Sequence, residues 1–172
     1  AKTREVMRNY LIKLARNIIT CLAKYLNAQI GALYLADEET AELRLTGSYA
    51  FTKRKSLSGA IRIGEGLAGQ AAFEKEMISV TDIPEDYFRI RSGLGDTQPR
   101  NIVISPFLFE GDLLGVVELA ALEEFSDTQL EFIKHAMENI AIGIHSVQSA
   151  GQIRHLLKDS QEQAEKLQAQ QE

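Results

Sequence analysis

Apolar residues in the first part of the chain recur at Met7, Leu11, Leu14, Ile18, Cys21 and Tyr25, at alternating spacings of four and three. That rhythm predicts a helix over residues 5–26 with a coiled-coil seam. Val6, Tyr10, Leu22 and Leu26 widen the stripe, so one side is expected to pack on a sheet while the seam meets another helix. The pattern then turns strand-like. Residues 28–36 and 41–50 flank the acidic turn Asp37-Glu38-Glu39-Thr40 and read as a hairpin. A short alternating strand follows over 58–63, then a brief helix over 67–75 and another strand over 77–81. Residues 82–100, with Pro84, Gly93, Gly95 and Pro99, read as a long irregular loop, and loops of that length in a compact domain are usually functional. Residues 101–109 and 113–122 flank Glu110-Gly111-Asp112 as a second hairpin whose continuous apolar character requires cover on both faces.

The last helix has an explicit start. Ser126 is placed to cap it, Gln129 to complete a capping box, and Phe125 to staple onto Leu130. Leu130, Ile133, Met137, Ile140, Ile144 and Val147 form its stripe. After a phase slip near Gly151, a second seam resumes at Ile153, Leu157, Ser160, Ala164 and Leu167. The expected architecture is α+β: an antiparallel sheet of five or six strands with the N- and C-terminal helices on one face.

Composition narrows the class. The chain has 172 residues, 45% hydrophobic and 25% charged, which suits one folded domain with a sizeable core. It has no apolar run long enough to span a membrane. Its single cysteine excludes an intrachain disulfide framework and a Cys-based zinc finger. Charge is uneven: residues 1–62 carry 11 Lys+Arg against 5 Asp+Glu, and residues 63–172 carry 8 against 19. A net charge of −5 argues against nucleic-acid binding, and the basic first helix is expected to complement an acidic neighbour. The start without Met and the Gln/Glu-rich helical end read as a domain cut from a longer protein.

Motifs for catalysis are weak. GEGLAG (64–69) matches the dinucleotide pattern G-x-G-x-x-G, but too few residues separate Gly69 from Met77 for a crossover between parallel strands. The glycines are expected to serve a tight strand-to-helix turn. His135, His145 and His155 lie ten residues apart on one helix, turned by about 280° per step, so they cannot converge on a metal. Cys21 on the first seam is expected to be buried and inert. Glu85-Asp86 and Glu123-Glu124 lack a partner that would split their pKa values. Glu118 stands out as the one charge in residues 113–122, sharing a strand face with Val116 and Ala120. A buried carboxylate needs a partner, and Arg91 and Arg100 in the long loop are available.

The blocks GEGLAGQAAFEKEMISVTDIP, NIVISPFLFEGDLLGVVELAAL and EFSDTQLEFIKHAMENIAIGI, in that order, resemble a GAF domain, the small-molecule-sensing relative of the PAS fold. The tail HLLKDSQEQAEKLQAQQE is similar to the signalling helix that follows such domains in bacterial sensor histidine kinases, and chemoreceptors and diguanylate cyclases use similar connectors. The resemblance implies an incoming helix over 1–9, a sensor domain over 10–149 and an outgoing coiled-coil connector over 150–172. It also lets the variants of the family be tested. Ala121, Leu122, Gln129 and Leu130 replace the residues of the cyclic-nucleotide signature. Asp82-Ile83-Pro84 is similar to the Asp-Ile-Pro element of bilin-binding members, yet the lone Cys21 lies in the first helix, far from their attachment positions. The reductases of this fold use several cysteines, and haem-binding members need an axial His.

The resemblance therefore implies a non-catalytic sensor with no cofactor or metal. Its expected ligand site comprises Tyr87, Phe88 and Arg91 from the loop, Ile102 and Ile104 from one strand, and Glu118 from the next. An arginine beside aromatics would suit a small anionic or planar ligand. Signalling is expected to run through a parallel homodimer formed along residues 7–25 and 130–147, with neither nucleic acid nor membrane insertion of this segment. The implied location is cytoplasmic, in a parent that is free or anchored in the inner membrane. A ligand-free dimerisation and spacer module is the rival reading.

Overall fold

The computed structural model describes residues 2–51, 59–87 and 89–170. Phe88 and the start of the strand expected from residue 58 lie outside the described residues. Helix α1 (Lys2–Tyr25) leads into the hairpin β1 (Ile30–Asp37) and β2 (Glu42–Tyr49). A short β3 (Ala60–Arg62), helix α2 (Gly66–Glu74) and β4 (Ile78–Val80) follow. A small ribbon, β5 (Ile90–Ser92) and β6 (Gly95–Thr97), precedes the long hairpin β7 (Asn101–Phe109) and β8 (Asp112–Ala121), and α3 (Asp127–Ala169) ends the chain.

Six strands form one sheet in the order β3-β2-β1-β8-β7-β4, every pairing antiparallel. Strands β3 and β4 occupy opposite edges, so the connection through α2 crosses one whole face of the sheet and covers it. GEGLAG thus opens a covering helix rather than a parallel βαβ unit. Its first two glycines take positive φ (Gly64 +96°, Gly66 +66°). Gly69 lets α2 approach the end of β3, where a Cβ would stand 2.4 Å from the Arg62 carbonyl oxygen.

The two faces carry separate cores. Helices α1 and α3 lie together on one face, burying Ala15, Ile19, Leu22, Ile133, Met137 and Ile144 against Leu33, Val103, Phe107, Val117 and Leu119. They run antiparallel: Tyr25 meets Phe132 with ring centroids 4.8 Å apart at one end, and Met7 packs on Gly151 at the other. On the opposite face, Ala68, Ala71 and Ala72 of α2 and Ile83 cover Ala32, Tyr34, Leu43, Ile102, Ile104, Val116 and Ala120. The capping box forms as expected, with Ser126 Oγ accepting from Gln129 N (3.2 Å) and Gln129 Oε1 from Ser126 N (2.9 Å).

Two expectations are corrected. Residues 82–100 are not wholly irregular, since β5 and β6 pair within them; the strands are short, exposed and lack an apolar alternation, so no pattern marks them. Cys21 is exposed, because Ala15, Ile19, Leu22 and Leu26, one step around α1, face the sheet. The α3 stripe packs on the chain's own sheet, and the helix continues through Gly151 as expected of one long helix with a shifted seam. Among the described residues, no helix is long and apolar enough to cross a membrane.

Close approach of α1 to β2 depends on Gly47. A Cβ there would stand 2.6 Å from the Ala15 carbonyl carbon and 2.7 Å from the Arg16 nitrogen, both backbone atoms. Gly47→Ala is expected to cost about 1–3 kcal/mol, read as a lower urea midpoint with an unchanged slope.

Candidate functional site

The face beneath α2 is built by strand alternation and register. Glu118 on β8 pairs with Ala32 on β1 and with Ile104 on β7, so the three share that face. Ile104 in turn pairs with Ile78 on β4. The neighbouring rows hold Tyr34, Val116 and Pro106 on one side and Ile30, Ala120, Ile102 and Val80 on the other. Ile102, Ile104 and Val116 are sealed from solvent, whereas Glu118 among them stays half-buried. Ile30, Ile78 and Val80 on the same rows are likewise only partly buried.

Electrostatics bring three groups together. Burial pushes the Glu118 carboxyl up to about 7. The Tyr34 hydroxyl is raised well above its ordinary range by burial, then by the Glu118 charge and Tyr87. Tyr87 is raised by burial and then by the same carboxylate. Tyr34 from β1 and Tyr87 from the loop therefore both lie within the field of Glu118. No hydrogen bond or ion pair reaches Glu118 from the described residues.

The roof is pinned at its ends. The Gln98 side-chain amide donates to the Ile83 carbonyl, and Ile83 and Pro99 are buried. Between them the ribbon is exposed, with Arg89 and Asp96 paired at 3.3 Å. Asn101, buried to 1% exposure, joins the far side of the site to α3. Its Nδ2 donates to Ser79 Oγ and to the Val80 carbonyl on β4, both at 3.0 Å, and its Oδ1 accepts from the Phe125 backbone N–H at 3.0 Å.

Of the expected site residues, Ile102, Ile104 and Glu118 share one face and Tyr87 comes within range of them. Arg91 does not join them. It sits exposed on β5, opposite Asp96, and Arg100 is exposed as well, so neither pairs with Glu118. Arg91, the arginine behind the expected anionic or planar ligand, thus makes no ion pair with Glu118. Phe88 lies outside the described residues. Tyr34 and Asn101 were not anticipated; a lone tyrosine in the apolar run GALYLA was the available signal for the first. The histidines are dispersed along α3. His145 stacks on Phe109 at 3.7 Å, His155 Nδ1 lies 2.9 Å from Asp159, and His135 lines the outer groove.

That groove, about 640 Å³, runs between α1 and α3 and is lined by Ile18, Cys21, Tyr25, Phe132, Ala136 and Ile140 among others. A larger cleft of about 790 Å³ lies at the opposite end, around Arg4, Met7, Leu114, Gly151 and Leu156.

Comparison with known proteins gives consistent results. The model of the GAF domain family matches residues 11–145. No curated protein matches the chain. Among solved structures, the chain is similar to the GAF domain from a phosphoenolpyruvate-protein phosphotransferase of Coxiella burnetii (TM-score 0.68, 22% identity, covering 82% of this chain and 86% of that one). It is also similar to the second GAF domain of DevS from Mycobacterium smegmatis (TM-score 0.65, 14% identity, 82% and 97%). A third similar structure is the free methionine-R-sulfoxide reductase from Neisseria meningitidis in complex with its substrate (TM-score 0.62, 18% identity, 84% and 87%).

The unpaired carboxyl has a measurable cost. A group titrating at 4.5 unfolded and about 7 folded holds its proton longer in the folded state. Stability therefore falls as pH rises from 4.5 toward 7 and then levels. Glu118→Gln is expected to stabilise the chain by roughly 1–3 kcal/mol at pH 8 and negligibly at pH 4, compared by urea unfolding at both values.

Proposed function

The chain belongs to the GAF domain family, and we propose that within it the protein is a non-catalytic sensor that binds a small ligand on the sheet face beneath α2, at Glu118. The carrying observation is Glu118 itself, a carboxyl held beneath a roof without a partner among the described residues. Tyr34, Tyr87, Ile102 and Ile104 complete the proposed site. Cys21 lies on the outer side of α1, away from that face, which favours sensing over the reductase chemistry of the Neisseria protein.

Binding would order the roof and, through β4 and Asn101, bias the start of α3. A ligand shifts such an equilibrium only by its difference in affinity for the two states. The proposed transmission path is a parallel homodimer through the groove between α1 and α3, leading to the output domain of a cytoplasmic sensor histidine kinase. Two features support the second copy. The groove is apolar, with Tyr25 at 74% exposure and Phe132 at its edge. Past Gly151, Ile153, Leu156, Leu157 and Leu167 are exposed on a 43-residue helix that outruns the 24-residue α1. An isolated helical extension gains little stability without tertiary cover.

Sedimentation velocity is expected to give a dimer at micromolar concentration, and Ala136→Arg, in the groove, a folded monomer. A wild-type monomer at high concentration would sink the transmission path. A thermal-shift screen against metabolites is expected to find a stabilising compound whose effect is lost in Glu118→Gln. A dimer with no such compound would favour the ligand-free spacer.

A further inference from the structure

We propose that the cleft at the start of α1 binds a free, single-chain amphipathic anion, its carboxylate head held by Arg4 and Arg8 and its hydrocarbon chain laid on the apolar lining. The site is separate from the sheet face beneath α2 and does not depend on the reading of Glu118. At about 790 Å³, the cleft falls within the range of about 300–1,000 Å³ usual for small-molecule sites. Three walls form it: the start of α1, the adjoining ends of β1 and β8, and α3 around Gly151. Gly151 sets how closely the two helices meet there. A Cβ on it would stand 3.0 Å from Met7 Cε, and both residues line the cleft.

The order of residues along α1 gives the cleft a charged end and an apolar end. Arg4 and Arg8 stand one helical turn apart, and Leu11 follows three residues later on the same side. Both arginines are exposed. Leu11 is half-buried and, like Leu114 on β8, packs against the core between the helices and the sheet. Leu156 of α3 adds an apolar side chain at 68% exposure. Neither arginine makes an ion pair with a described residue. Of the residues outside that description, only Glu172 carries a side-chain carboxylate.

Charge selects the head of the ligand. The charged or titratable groups lining the cleft are Arg4, Arg8, Glu38 and His155, and His155 is engaged by Asp159 at 2.9 Å. Two guanidiniums outweigh the one exposed carboxylate of Glu38, so an anion is favoured over an ammonium. A guanidinium also matches a carboxylate through parallel N–H donors. The lining selects the tail. Met7, Leu11, Leu113 and Leu114 are all half-buried, so a hydrocarbon chain would remove further apolar surface from water, which a sugar or an inorganic anion would not. A head alone would rest on two exposed arginines, where an ion pair contributes little. Head and chain are therefore both required.

The full chain would be titrated calorimetrically at pH 8 with octanoate and decanoate, and with acetate, octanol and octylammonium as head-only, chain-only and opposite-charge probes. The two fatty anions are expected to bind saturably, and each of the three other probes at least fivefold more weakly. The double variant Arg4→Gln/Arg8→Gln is expected to lose at least fivefold in octanoate affinity and Leu156→Gln severalfold. Lys13→Gln, which removes an α1 cation that does not line the cleft, is expected to change nothing. All three variants alter exposed side chains, and urea unfolding checks that they remain folded. Phosphatidylglycerol vesicles in a flotation assay are expected to leave the chain unbound. Flotation that requires Arg4 and Arg8 would assign the arginines to a membrane surface and overturn the proposal. So would absent or non-saturating binding of both fatty anions, equal binding of octanol, or octanoate affinity unchanged in the double variant.

Discussion

The sheet has two apolar faces, and the need to cover both shapes the rest of the molecule. Every residue of β7 from Asn101 to Phe107 is buried, so neither face can be left to water. One face is closed by α1 and α3, whose large aliphatic side chains pack densely against it. The other is closed by a single short helix presenting alanines and by a loop pinned at Ile83, Gln98 and Pro99. The side chains α2 brings to that face are small, and Glu118 lies partly buried on it.

A carboxyl in that position is costly to the fold. Its neighbours in the same row are Ala32, Ile104 and Ile78, any of which shows that an apolar residue fits the surface. Retaining a charge there works against stability, and such departures from the apolar pattern concentrate at functional sites. The tyrosines reinforce the polarity at this one point of an otherwise apolar face. The geometry thus separates a side covered by two long helices from a side covered by one short helix and a loop.

Asn101 joins the two sides. Its amide spans β4, at the edge beneath the roof, and the residue that precedes the α3 cap. A buried amide with three hydrogen bonds resists displacement, because losing any partner leaves a polar group unsatisfied away from water. Asn101 thus ties β4 to the residue just before the first turn of α3, which the Ser126–Gln129 capping box fixes.

Local order was legible from residue types alone. The helical rhythm of α1 and α3, the Ser126 cap, the Glu110-Gly111 hairpin and the placement of Ile102, Ile104 and Glu118 on one face follow from short-range periodicity and turn chemistry. So does the GAF resemblance, carried by the order of those elements. What tertiary structure decided is which surfaces meet. Periodicity identifies a stripe on α1 but not its partner, so Cys21, one step from the buried row, is exposed instead of buried. It identifies Arg91 as a cation in the loop, but only folding sets that arginine on an exposed ribbon away from Glu118. Tyr34 and Asn101 become significant through strands far apart in sequence. Pairing between distant segments is a property of the packed chain, and no local pattern encodes it.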